Sequence, residues 1–191
     1  MANIVLCSAS PRRQELLQQM GIAHFDIRIP EVDESYPEGL TPQETVAHIS
    51  RKKAVAAQSL CTENEIFITA DTMVFCDHHR LGKPQNEADA LAMLTALQGR
   101  THQVCTAFTV GHQGNLITQT HTTDVSFCPC TADTLNTYIA TGEPMDKAGS
   151  YGIQGYGGLL VDGIHGDYYT VMGLPIAPLG RVLIELGVTL F

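Results

Sequence analysis

The sequence predicts a mixed α/β fold, a long twisted sheet with flanking helices. Three observations lead there. Strand-like and helix-like segments alternate irregularly, unlike a regular βαβ array, and the middle of the chain is β-rich. Most helical segments open on a capping residue and close on a glycine. The 191 residues suffice for one large domain or two small lobes around a cleft. With no internal repeat, low-complexity stretch or linker, residues 1–191 read as a single domain.

The elements follow in order. Asn3 to Cys7 reads as a short buried strand. Ser10 to Met20 reads as a helix with Ser10 as N-cap, Pro11 at the first position and Gly21 as the stop. His24 to Ile29 alternates like a strand. Thr41-Pro42-Gln43-Glu44 is a capping box that opens a helix to about Ser59. Glu65 to Ala70 is a strand ending at Asp71, and Val74 to Leu81 a hairpin around His78-His79. Asn86 caps a helix through Leu97, closed by Gly99. Two longer strands, about 102–110 and 116–127, flank a loop with Gly111 and Gly114. Thr131 to Ala140 is a helix stopped by Gly142, and a glycine-punctuated segment follows. The last helix spans about Ile176 to Leu186 and stops at Gly187.

Composition narrows the function. With 44% hydrophobic and 16% charged residues, the chain reads as a globular protein with no membrane association. No apolar run approaches the roughly 18–20 residues of a membrane span. The start, MANIVLCSASPRR, has no basic segment before its apolar stretch and does not read as a secretory signal. The six cysteines are therefore expected as reduced thiols in the cytoplasm. Cys128 and Cys130, at a strand end, would share one face, as buried thiols or as metal ligands. A net charge of −9 argues against a stable nucleic-acid complex.

Only eleven residues are Lys or Arg, and four of them, Arg12, Arg13, Lys83 and Lys147, fall in unusual loop segments. Arg12 and Arg13 stand in the first turn of a helix, where the dipole favours carboxylates. An anion completing the site would explain them, since guanidiniums match phosphate oxygens. The other reading is that both face water or pair with the acidic loop at 31–38. Asp33, Glu34 and Asp71 are the carboxylates expected to converge. Such groups hold hard cations and activate water for attack on phosphorus, although E-V-D-E also suits a solvated loop. Asp71 ends the apolar stretch E-I-F-I-T-A, where a charge needs a reason. No P-loop, dinucleotide fingerprint, zinc-protease spacing or nucleophile elbow occurs.

Six segments then stand in order: S-A-S-P-R-R at 8–13, E-V-D-E at 31–34, R-K-K-A at 51–54, A-D-T at 70–72, G-K-P at 82–84 and D-K-A-G-S-Y-G-I-Q-G at 146–155. Together they resemble the Maf family of nucleoside triphosphate pyrophosphatases, over about residues 4 to 187. The resemblance implies a two-lobed fold related to the inosine triphosphatase-like enzymes, with a central cleft. It implies cleavage between the α and β phosphates of a nucleoside triphosphate, with a divalent cation (Mg²⁺ or Mn²⁺) as the one cofactor. It makes Asp71 the general base, with Glu34 an acidic metal or active-site position, so that Glu34 and Asp71 are the metal candidates. Lys53 and Lys83 match phosphate-contacting lysines, and Ser8, Arg13 and Lys147 lie in substrate-binding motifs. A homodimer is also implied.

Within the family, Arg12, Thr72 and Gln154 resemble the branch acting on dTTP and UTP. The branch acting on 7-methyl-GTP tends to carry a Trp in place of the first arginine, and this chain has no Trp. Indole stacks on a cationic purine, whereas Arg12 repels it. The Gln154 amide, donor and acceptor at once, suits the edge of uracil or thymine. One departure is Thr69, where the family more often has Gly before A-D-T. The alternatives are a pyrophosphatase for another modified nucleotide, or a non-enzymatic regulator of septum formation.

Overall fold

The computed structural model describes residues 3–77 and 79–190, and its strands form one seven-stranded sheet. In chain order the main elements are β1 (Ile4–Leu6), α1 (Pro11–Gln19), β2 (Asp26–Ile27), α2 (Pro42–Ala57), β3 (Ile66–Cys76) and β4 (His79–Leu81). They continue with α3 (Glu87–Leu97), β5 (Thr101–His112), β6 (Asn115–Phe127), α4 (Ala132–Ile139), β7 (Val161–His165), α5 (Tyr168–Met172) and α6 (Ile176–Glu185). The strand order is β2-β1-β3-β5-β6-β7, with β4 also paired to β3. β1 runs parallel to both β2 and β3, with Val5 beside Asp26 and Phe67. β4 is antiparallel to β3, and β7 to β6 with a shift between Ser126 and Phe127.

Local chemistry explains most of these boundaries. Thr41 accepts from the Glu44 amide while Glu44 Oε2 accepts from the Thr41 amide at 2.9 Å, the reciprocal capping box read from the sequence. Asn86 and Thr131 cap α3 and α4 in the same way, each accepting from the backbone three residues on. Gln113 and Gly114 join β5 to β6 with φ of 49° and 77°, the left-handed pair that a two-residue hairpin demands. Gly111 lies inside β5, not in the loop expected, because the Phe67 ring rests on it; a Cβ there would come within 2.0 Å of that ring.

Other expectations need correction. The alternating segment 24–29 yields only the two-residue β2, both residues exposed at the sheet edge. Arg28, next in line, turns to an ion-pair cluster instead, bonding Glu65 at 2.7 and 2.8 Å and Asp26 at 2.9 Å. Asp71 sits in the middle of β3, not at its end; its charge meets a lysine, and the apolar run Met73–Cys76 carries the strand onward. Cys128 and Cys130 follow β6 on either side of Pro129, not within the strand. Of the predicted tip His78-His79, His79 opens β4 and His78 lies outside the described residues. β7 and the five-residue α5 have no clear signal in the sequence.

The chain divides into two compact units. The first holds residues up to Asp71, Thr106–His121 and those from Gly173 on; the second holds Thr72–Cys105 and Thr122–Met172. β3, β5 and β6 contribute residues to both. In the first unit α1 buries Leu16 and Leu17, and α6 buries Leu179, Val182 and Leu183. Each such side chain contributes about 1.5–3 kcal/mol on leaving water. Here Thr69 Oγ1 donates to the Ser50 carbonyl at 2.9 Å, and Ser50 Oγ bonds Thr109 Oγ1 at 2.9 Å, tying α2 to β3 and β5. In the second unit Leu94, Leu97, Phe127 and Leu135 form a core with Tyr138 and Tyr151. His102 lies within it, bonded through Nε2 to the Tyr151 hydroxyl at 2.8 Å, and burial pushes its imidazole down to about 4.

Candidate active site

In the first unit the site begins at the turn between β1 and α1. Ser10 occupies the N-cap position of α1 but makes no side-chain cap bond. Ser8 serves the turn instead: its buried Oγ accepts from the Ser10 amide at 3.3 Å and from Arg13 Nη1 at 3.0 Å. Arg13 Nε donates to the Gly173 carbonyl at 2.9 Å. The guanidinium is thus gripped on two sides, turned inward from the helix start. Burial lowers its pKa, Asp71 and Glu34 raise it, and Arg12 lowers it further. Arg13 therefore does not simply face water: its guanidinium bonds Ser8 and the Gly173 carbonyl.

α2 supplies the second cation. Lys53 Nζ donates to Asp71 Oδ1 at 2.8 Å and pairs with Glu34 Oε1 at 2.9 Å. Asp71 is buried, and its Oδ2 is closed off from solvent without a hydrogen-bond partner among the described residues. An ionised oxygen in that state is costly unless a ligand or proton meets it. The expectation that Asp33 joins Glu34 and Asp71 is not met. Asp33 folds back on Ser35, whose amide donates to it at 3.0 Å, and pairs with Lys52. The short side chain of Asp33 suits that local turn, while Glu34 reaches Lys53.

Thr72, Lys83, Lys147 and Gln154 belong to the second unit. The Gly149 amide donates to the Gly82 carbonyl at 3.0 Å, holding the Lys83 loop beside the loop of Lys147. Gly149 has φ of 70°, and a Cβ would come within 2.9 Å of Val74. Lys147 Nζ donates to the Glu143 carbonyl and to Asp146, each at 2.7 Å. Lys83 and Gln154 are exposed, and Thr72 is half-buried.

Sequence reasoning missed three groups. The Gly173 carbonyl lies 160 residues from Arg13 and is marked by no motif. Glu143 accepts hydrogen bonds from Tyr138 and from the amides of Tyr156 and Gly157. Its one signal was a charged residue directly after the Gly142 stop. Glu65 completes the Arg28 cluster, where those bonds hold its carboxyl down near about 2.

Hard oxygen donors are present for a cation in the Asp71 and Glu34 carboxylates. No group of three or more His, Cys, Asp or Glu residues arranged for a metal occurs among the described residues. A cation here would rest on two carboxylates and take its other ligands from phosphate and water, as Mg²⁺ does. The residues fit that arrangement.

A lysine held between two carboxylates, with a half-buried arginine at a helix start, groups acids and bases of the kind that suit anionic substrates. The chain belongs to the Maf-like protein family, whose model matches residues 3–186. It is 46% identical over 185 residues to a dTTP/UTP pyrophosphatase of Exiguobacterium sibiricum, spanning 97% of this chain and 93% of that one. It is 44% identical to a dTTP/UTP pyrophosphatase of Bacillus pumilus over 191 residues, 100% of both chains. A dTTP/UTP pyrophosphatase of Vibrio vulnificus is 44% identical over 185 residues, 97% of this chain and 99% of that one. Among solved structures, a HAM1 protein from Coxiella burnetii aligns over 97% of this chain and all of its own, at 13% identity and a TM-score of 0.47.

Proposed function

We propose that this protein is a nucleoside triphosphate pyrophosphatase that hydrolyses dTTP and UTP to the monophosphate and pyrophosphate. The observation that carries the reading is the Asp71 carboxylate, held through one oxygen by Lys53 and buried without a hydrogen-bond partner at the other. The names and identities of the relatives support the substrate class.

The chemistry follows from the residues. Asp71 Oδ2 takes a proton from water, whose oxygen bonds to the α phosphorus as the bond to the bridging oxygen breaks and pyrophosphate leaves. Lys53 and Lys83 offset negative charge on the phosphates as the bond breaks, the kind of electrostatic help that usually dominates such reactions. Arg13, braced by Ser8 and Gly173, holds phosphate oxygens, and Lys147 is assigned the same role. Arg12, Thr72 and Gln154 sense the base. Glu34 and Asp71 would hold a divalent cation, Mg²⁺ or Mn²⁺, which when bound neutralises phosphate charge.

The reading extends to a cytoplasmic protein that acts on free nucleotides without nucleic acid, as a homodimer. The net charge of −9 supports the second point, and no described helix is long and apolar enough to cross a membrane. A cation-supplemented panel of natural and modified nucleoside triphosphates, scored for monophosphate and pyrophosphate, tests the function. Release of pyrophosphate from UTP and dTTP in preference to purine nucleotides is expected. A preference for 7-methyl-GTP overturns the substrate assignment, and release of orthophosphate alone overturns the bond cleaved.

A further inference from the structure

One carboxylate in the second unit is saturated by donors fixed in the chain. Glu143 stands directly after the Gly142 stop of α4, and three donors converge on its side chain. Tyr138 Oη and the Gly157 amide each donate to Oε1 at 2.9 Å, and the Tyr156 amide donates to Oε2 at 2.8 Å. The Tyr138 oxygen in turn accepts from the Gly152 amide at 3.1 Å. The turn Ile153–Gly155 is therefore gripped on its leading side through Tyr138 and on its trailing side by Glu143 itself. The grip is close: a Cβ on Gly155 would come within 2.2 Å of Glu143 Oε2, and one on Gly157 within 2.7 Å of the Tyr138 oxygen. Hydrogen bonds from neutral donors to a carboxylate are about twice as strong as neutral pairs, so this is a firm anchor.

The middle residue of the gripped turn is Gln154. We propose that Glu143 is a positioning residue for base selection: with Tyr138 it clasps the turn 153–155 from both sides and sets where the Gln154 amide is presented. The proposal rests on the reading of Gln154 as a base-sensing residue. It separates two tasks that one loop could otherwise blur. Glu143 touches no reacting atom, and its removal acts on the choice of nucleotide more than on bond cleavage.

The test uses the full chain, three single variants and one double variant. Glu143→Gln keeps the volume but turns an amide nitrogen toward a backbone N–H. Tyr138→Phe removes the leading grip together with one of the three donors to Glu143, and Gln154→Ala removes the presented amide. Amide hydrogen exchange is followed at Gly152, Tyr156 and Gly157, and kcat and KM are measured for UTP, dTTP and GTP. Glu143→Gln is expected to speed exchange at Tyr156 and Gly157 and to cut the UTP-over-GTP preference about tenfold, mainly through KM, since small misplacements of a contact group have effects of that order. Tyr138→Phe is expected to speed exchange at Gly152 and lower the preference less. Adding Glu143→Gln to Gln154→Ala is expected to change the preference no further. Unchanged exchange in Glu143→Gln overturns the clasp. Faster exchange with all nucleotides slowed alike overturns the role in selection and leaves a structural brace. A Gln154→Ala variant with intact preference shows that the base-sensing reading itself has failed, and the role of Glu143 falls with it.

Discussion

Asp71 and Glu143 are both carboxylates placed beside a lysine, one in each unit, and they are satisfied in opposite ways. Glu143 has both oxygens filled by donors fixed in the chain. Asp71 has one oxygen filled by Lys53 and the other buried and open. A saturated carboxylate lowers the energy of one backbone arrangement and has no acceptor left for a reactant. An open, buried one is a cost to the empty protein that only a ligand or a proton removes. The Arg28–Glu65–Asp26 cluster belongs with Glu143: Glu65 takes two bonds from Arg28 and one from the Thr62 amide at 2.8 Å. Partner count, more than charge or burial, separates the carboxylate suited to chemistry from those that hold the fold.

The largest test of that contrast is at Lys53. Lys53→Met leaves Asp71 and Glu34 facing each other without a cation, and turnover is expected to fall about 10²–10³-fold, the usual cost of losing one preorganised charge contact. Steady-state pyrophosphate release checks it, and a loss of less than about threefold would sink the role of Lys53.

Next comes Arg13. Saturating triphosphate raises the thermal midpoint of any protein that binds it only when folded. The rise is expected in the parent chain and to be much smaller in Arg13→Ala, read by melting curves with and without nucleotide. An equal rise in both would remove Arg13 from phosphate binding.

A smaller effect is expected at Thr69. Thr69→Val deletes the donor to the Ser50 carbonyl and keeps the shape, costing about 1 kcal/mol of stability. Because Ser50 lies on α2 less than one turn before Lys53, kcat is expected to fall modestly as well, and Thr69→Ser to recover it. Chemical denaturation and kinetics together check this.

The smallest effect at neutral pH is at Glu65, yet it sharpens the contrast in acid. Its carboxyl titrates near 2 in the folded chain against an ordinary 4.5, chiefly because Arg28 donates to it. A depressed carboxyl contributes stability above its unfolded value and loses it as pH falls toward the folded one. The parent chain is therefore expected to lose stability between about pH 4.5 and 2. Glu65→Gln should show a shallower loss over that window in acid melting curves. Identical slopes would mean the cluster has no such role.

Much of this architecture was legible because it is local. The Thr41–Glu44 capping box, the Asn86 cap and the turn at Gly114 each lie within four residues of sequence. A short side chain near a helix start has few other partners to choose. The motifs also placed Asp71, Glu34 and Lys53 in one family pattern, and these three meet. What stayed hidden depends on distant chain. Ser10 stands at the N-cap of α1 as the sequence indicates, yet its side chain makes no cap bond. Ser8 serves the turn, accepting from the Ser10 amide and from Arg13, which itself donates to the Gly173 carbonyl. By sequence Asp71 marks a strand end, because a charge normally stops an apolar run; Lys53, from a helix 18 residues earlier, lets β3 continue through it. The alternation at 24–29 was genuine, yet at a sheet edge it had no second neighbour to extend it. Glu143 has no periodic or motif signal, since two of its three donors are backbone amides, which every sequence supplies equally.

The central claim rests on the open oxygen of Asp71, and Asp71→Asn tests it most directly. The substitution keeps the shape and removes the proton acceptor. With UTP and a divalent cation in excess, pyrophosphate release is expected to fall by about 10²–10⁴-fold, the range of general-base catalysis. The thermal midpoint should be equal to the parent's or higher, because a buried charge with an unpartnered oxygen has gone. Turnover within a few-fold of the parent, with the same pH profile, would contradict Asp71 as the base.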